Sequence, residues 1–181
     1  METFAGFGAP SEIIYLNKPH IGTDKLRAVV ENMRNEIIRL GGEVRFGTKL
    51  TDLFIKNGQL DSIELNNKEI IKCSCLVAAI GHSARDTFSL FQKRGLILEP
   101  KAFAIGLRIE HKQSFISRAQ YGDDYIHLPA ADYKLTHQTK SGRGVYSFCM
   151  CPGGFVVNAS SEPGYLAVNG MSNYARDEEN A

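Results

Sequence analysis

The 181-residue chain carries 21 Lys and Arg against 20 Asp and Glu, a formal charge of +1, so no net field draws it to nucleic acid or an anionic membrane. Its 43% hydrophobic and 23% charged residues are those of a globular protein and exclude collagen, coiled coil, global disorder and a membrane-spanning chain. At this length one domain, or two small lobes, can bury a core without metal or disulfide staples.

The first twenty residues are rich in Gly, Pro and aromatics and read as a loop. Leu26, Val29, Val30, Met33, Ile37 and Leu40 then recur at steps of three and four, which predicts an amphipathic helix. Thr23 stands at its N-cap, Asp24 suits the positive end of the helix dipole, and Gly41-Gly42 supplies the stop. Glu43 to Phe46 reads as a short strand. From Thr48 to Cys73 alternating apolar residues are broken by Asn57-Gly58 and Asn66-Asn67, the pattern of a three-stranded meander with tight turns. Cys75 to Ile80 is a continuous apolar run ending at Gly81, as expected of a strand buried on both faces. Ser83 with Asp86 resembles a capping box opening a helix that runs to Gly95.

After Pro100 the chain is richer in glycine and alternation. Phe103–Ile109, Val145–Met150, Phe155–Val157 and Leu166–Val168 read as strands, and Gln113–Gln120 as a short helix. The expected fold is therefore mixed α/β, with a helix–meander–strand–helix lobe at 1–99 and a β-rich lobe at 100–181. The first lobe holds too little to finish a doubly wound sheet, so the expectation is a piece of a longer protein. Residues 1 to 16 lack a basic start and a continuous apolar run, which predicts no secretory signal, a cytoplasmic setting and reduced thiols.

Several strings are more specific than composition. They are Leu-Asn-Lys-Pro-His-Ile-Gly-Thr-Asp-Lys-Leu (16–26), Ala-Ile-Gly-His-Ser-Ala-Arg-Asp-Thr-Phe (79–88), Phe-Ala-Ile-Gly-Leu-Arg-Ile-Glu-His (103–111), Gly-Val-Tyr-Ser-Phe-Cys-Met-Cys-Pro-Gly-Gly (144–154) and Asn-Gly-Met-Ser-Asn-Tyr-Ala-Arg-Asp (169–177). On these the chain resembles the bacterial uncharacterised FAD-dependent dehydrogenases, often labelled NAD/FAD-utilising. The resemblance implies a partial FAD-binding lobe with its β-meander, followed by part of a β-rich substrate domain. It implies FAD as the cofactor of the complete protein, NAD(P) as a possible reductant, and a small-molecule substrate. The Gly-x-Gly-x-x-Gly phosphate loop of that family is missing: Ser11 follows Gly6-Phe-Gly8, and Ser147 follows Gly142-Arg-Gly144, where the third glycine would fall. The isolated chain is accordingly expected to be inactive.

The same resemblance supplies the candidate residues. Val44 would meet the adenine through its backbone, and Gly81 would let backbone approach the cofactor, with His82 and Ser83 along the groove. Lys18 and His20 would lie near the flavin, where a cation can stabilise the reduced ring. Cys151 and Gly153, in Cys149-Met-Cys151-Pro-Gly-Gly, would face the flavin from the substrate domain. Two cysteines two apart on a strand share a face, but Cys-x-Cys closes a strained ring, so pocket lining is favoured over a redox dithiol. Each residue also has a plainer reading as core, cap or surface loop.

Three rivals stand beside this reading. The pairs Cys73/Cys75 and Cys149/Cys151 invite a four-thiolate zinc site, although structural zinc ligands usually have wider spacing; no metal is expected. Gly81-His82-Ser83 after a buried strand has the setting of a nucleophile elbow, with Asp123, Asp124 or Asp132 and then His137 to complete a triad. Arg85 is large for the last position of that elbow. The third rival is a β-rich binding module without chemistry of its own.

Overall fold

The computed structural model describes residues 1–180, and they are mixed α/β: four α-helices, short 3₁₀ turns and three small antiparallel sheets. The chain forms two compact units, one made of residues 1–42 with 106–180 and the other of residues 43–105. These units are drawn differently from the division into 1–99 and 100–181, because the first helices pack with the second half of the sequence.

In the first unit, α1 (Glu2–Gly6) and a 3₁₀ turn (Ser11–Ile14) replace the expected loop. They fold onto α2 (Thr23–Arg39), where Ala9, Ile13 and Val29 form a small core flanked by Phe4, Phe7, Ile21 and Met33. Val29 is fully buried, whereas Leu26, Val30 and Ile37 of the same apolar stripe remain exposed. The N-cap of α2 is Gly22 at φ 83°, not Thr23. The hydroxyl of Thr23 instead donates to the Ser172 carbonyl at 3.2 Å. The far end closes as a Schellman motif: Gly41 is left-handed, its N–H meets the Ile38 carbonyl, and the Gly42 N–H meets that of Ile37 at 2.8 Å.

The rest of this unit is α4 (Gln113–Tyr121) and two hairpins, β4–β5 (Thr136–Gln138, Gly144–Tyr146) and β6–β7 (Gly154–Asn158, Val168–Ser172). The hairpins are shorter than, or shifted from, the runs at 145–150 and 166–168. Phe103–Ile109, expected as a strand, is neither strand nor helix.

The second unit is the meander β1 (Leu50–Lys56), β2 (Gln59–Leu65) and β3 (Glu69–Lys72), with α3 (Arg85–Lys93) packed on β1. Asn57 and Gly58 both have positive φ, as a two-residue type I′ turn demands, and this sets the register Lys56↔Gln59. Leu53 and Leu65 are buried in the sheet and Phe91 in the helix. Arg94 closes the helix onto the strand, its Nε 2.7 Å from Asp52 Oδ1, with the guanidinium over the Phe54 ring.

Three expectations fail here. Glu43–Phe46 is irregular, and Cys75–Ile80 is an exposed coil rather than a strand buried on both faces. A buried strand needs neighbours to take its ladder hydrogen bonds, and no described strand lies beside this run. The capping box is not made either. Helix α3 starts after Ala84 with no side-chain cap, and Asp86 pairs with Lys49 while accepting the Thr87 N–H.

Candidate functional site

The most constrained backbone of the first unit is the Cys-Pro-Gly-Gly turn at 151–154. Cys149 and Gly153 are both left-handed at φ 55°, so Cys149 and Cys151 do not lie on a common strand face. Their thiols are free, and Cys151 Sγ lies 3.6 Å from the Cys149 carbonyl. Three backbone groups of the turn are tied to distant residues. The Gly153 N–H donates to Gln113 Oε1 at 2.7 Å, the Gly154 N–H to the Asn180 carbonyl at 2.7 Å, and the Glu178 N–H to the Gly153 carbonyl at 3.1 Å. Gln113 is the hub: its Nε2 also reaches Ser117 Oγ and the Ala131 carbonyl, each at 3.0 Å.

Glycines make this packing possible. A Cβ on Gly153 would overlap the Arg176 carbonyl, and one on Gly170 would stand 2.6 Å from both Arg108 Nη1 and Cys151 Sγ. Arg108 in turn reaches the Cys149 carbonyl at 3.3 Å. The cavity that remains, lined by Arg108, Glu110, Cys151, Phe155, Gly170 and Asn180, measures about 10 Å³, the room of about one water. Cys151 therefore borders a water-sized space, and Gly153 is buried in the turn.

Beside this turn, the segment Ser172–Tyr174 is strapped to the start of α2. His20 Nε2–H donates to the Asn173 carbonyl at 2.8 Å, and the Tyr174 N–H donates to Asp24 Oδ1 at 2.8 Å. The Tyr174 hydroxyl bonds Glu12, and Lys25 sits 3.2 Å above its ring. The Tyr174 hydroxyl holds the Glu12 carboxyl below its usual range and its own ionisation is pushed up in return. The Tyr174 N–H does the same for Asp24. Lys18 pairs with Asp132 at 2.6 Å on the surface. Sequence reasoning passed over one titratable pair here. His111 Nε2 lies 3.2 Å from Tyr133 Oη, and the Tyr133 N–H meets Met150 Sδ at 3.2 Å, which seats the pair against the 149–151 segment.

The other candidates belong to the second unit. Gly81 is left-handed at φ 71°, and a Cβ there would meet no atom within 4 Å. His82 and Ser83 are exposed, and Val44 is half-buried in irregular backbone. A wide open groove of about 480 Å³ runs along β1 between Phe54, Ile55, Lys93 and Arg94; none of its residues was a site candidate from sequence, since only the β1–α3 packing assembles it.

Residues 102–181 match the family model described as FAD-dependent protein, C-terminal domain-like. An uncharacterized protein of Clostridium beijerinckii is 56% identical over 177 residues, 96% of this chain and 33% of that protein. The chain thus spans about a third of that relative. The matched segment contains the Cys-Pro-Gly-Gly turn and the 172–174 strap, and the likeness supports an FAD-dependent family for this half of the chain.

The described residues do not form the phosphate turn of a flavin dinucleotide site. The open space at Gly81 is shared with Gly58, Gly95 and Gly142, so by itself it marks no ligand site. A pyrophosphate needs a glycine turn between a strand and a helix N-terminus. Gly6 is the last residue of α1 and Gly8 lies just beyond it, and Gly142 and Gly144 belong to the β4–β5 hairpin, so neither glycine pair forms such a turn. No helix among the described residues is long and apolar enough to cross a membrane.

The elbow at Ser83 is not formed. Residues 75–80 are not a strand, and Ser83 is absent from the non-glycine residues with positive φ, whereas an elbow holds its nucleophile on a strained strand-to-helix turn. Asp123 is engaged by Arg118 and Asp132 by Lys18. The two cysteine pairs lie in different units, Cys73/Cys75 in one and Cys149/Cys151 in the other.

Proposed function

We propose that this chain is part of an FAD-dependent oxidoreductase, a cytoplasmic dehydrogenase, and that it has no activity by itself. The observation that carries the reading is the family match over 102–181, the half that builds the Cys-Pro-Gly-Gly turn. FAD, when bound, supplies two-electron chemistry. The chain's own share is to shape the groove and the substrate pocket. The Gly81 backbone would approach the cofactor, with His82 and Ser83 beside it, and the Val44 backbone would meet the adenine. Lys18 and His20 would stand near the ring, and the turn carrying Cys151 and Gly153 would form part of the pocket wall. NAD(P) as the reductant and a small-molecule substrate belong to the same proposal.

The test is a visible spectrum, with identification of any chromophore released on denaturation, for this chain and for the full-length Clostridium relative. FAD from the relative and none from the chain is the expected result. A colourless folded relative would overturn the flavin reading. FAD retained by the chain alone would overturn the claim that it is only part of the site.

A further inference from the structure

Phe103, Ile105, Leu107 and Ile109 alternate with Ala104, Gly106 and Arg108 and are 82, 90, 97 and 67% exposed. In an extended strand all four would share one face. Among the described residues no backbone N–H or C=O from Ile97 to Glu110 takes part in a hydrogen bond, and the same holds for Cys75–Ile80, whose Val77 is 84% exposed. Two runs with strand-like patterning therefore present unpaired backbone and bare apolar side chains together, the template for adding a strand.

The surface area says how large the missing cover is. The chain exposes 14194 Å². A compact monomer of its mass would expose about 8,700 Å², and two separate compact units about 10,400 Å². The excess is thus about 3,800 Å² even when the units are counted apart. A standard protein–protein interface hides about 800 Å² on each partner, so an ordinary dimer contact is several times too small. The cover has to be of the order of a domain, and two-thirds of the Clostridium relative lies outside the stretch matched by this chain.

We propose that residues 75–80 and 103–109 are strands completed by the polypeptide that forms the other two-thirds of proteins like this relative. Its strands supply the ladder hydrogen bonds, and its apolar face covers Val77, Phe103, Ile105 and Leu107. The inference rests on the reading of the chain as part of a longer protein, and it is independent of whether that protein holds flavin.

Amide hydrogen exchange, followed by mass spectrometry on this chain and on the full-length relative, tests it. Peptides over 75–80 and 103–109 should exchange almost unprotected in the chain, and the aligned peptides should exchange at least about 100-fold more slowly in the relative. Equally fast exchange in the relative would overturn the proposal. So would protection in this chain that grows with its concentration, since a second copy would then be the cover. Flavin content is measured on the same samples. Protection without flavin leaves this inference standing while the oxidoreductase reading falls, and flavin without protection does the reverse.

Discussion

Gly153 and Gly81 show how one residue type serves two purposes. Both are left-handed, but a Cβ on Gly153 would overlap the Arg176 carbonyl, whereas one on Gly81 would enter open space. Gly153→Ala should cost about 3 kcal/mol or more, because backbone strain and steric overlap add in a buried turn. Gly81→Ala should cost only the left-handed penalty of about 1–2 kcal/mol. Urea unfolding of the two variants measures the contrast, and equal losses would show that the 151–154 turn is less tightly built than its hydrogen bonds to Gln113 and Asn180 indicate. Both glycines could be picked out from sequence as special backbone. Which was packed and which was open could not, since that depends on residues as distant as Arg176.

At the level of elements, the strap of Ser172–Tyr174 on α2 joins segments about 150 positions apart through Thr23, Asp24, Lys25 and Glu12. Its carboxyls are held below their usual range, so their contribution is fully present above that range and is lost as pH falls through the lowered values, below about pH 4. The Tyr174 hydroxyl is shifted up, so its contribution is present below about pH 10 and fades as pH rises through the raised value. In Tyr174→Phe the Glu12 carboxyl should titrate closer to its ordinary range, while Asp24, held by the backbone N–H of residue 174, stays low. Carboxyl chemical shifts followed by NMR across the acid range check this, and an unmoved Glu12 would refute it. The α2 stripe and the stop at Gly41-Gly42 were legible as local pattern. The partner of the helix N-terminus was not, because Asp24 carries the same helix-dipole signal whether or not a strand end docks on it.

For the whole molecule, the notable fact is how little is covered. Among the described residues the buried apolar side chains are Ala9, Ile13, Val29, Leu53, Leu65, Phe91, Ile116 and Ala131. Among the described residues, 97–110 show no backbone hydrogen bond and so form an accessible stretch of chain. Limited proteolysis with a nonspecific protease should cut first within 97–110, giving two products whose masses locate the site. A first cut inside the β1–β2 hairpin would contradict that order. The full-length relative should resist cleavage at the aligned position.

The sequence by itself determined the elements whose signal is local. The α2 helix follows from apolar steps of three and four, the β1–β3 meander from alternation broken at Asn57-Gly58 and Asn66-Asn67, and α4 from its short periodic run. The strings at 16–26, 79–88, 103–111, 144–154 and 169–177 pointed to flavoproteins, and the family match over 102–181 covers the last three. Only the tertiary structure decided the rest. Apolar runs at 75–80 and 103–109 have every local mark of strands, yet a strand exists only when another chain segment accepts its hydrogen bonds, and no described segment does. Likewise Cys151 and Gly153 stood out as part of an unusual string, but the turn they form and its packing against Gln113, Arg108 and Asn180 arise from contacts between distant residues, which no local spacing encodes.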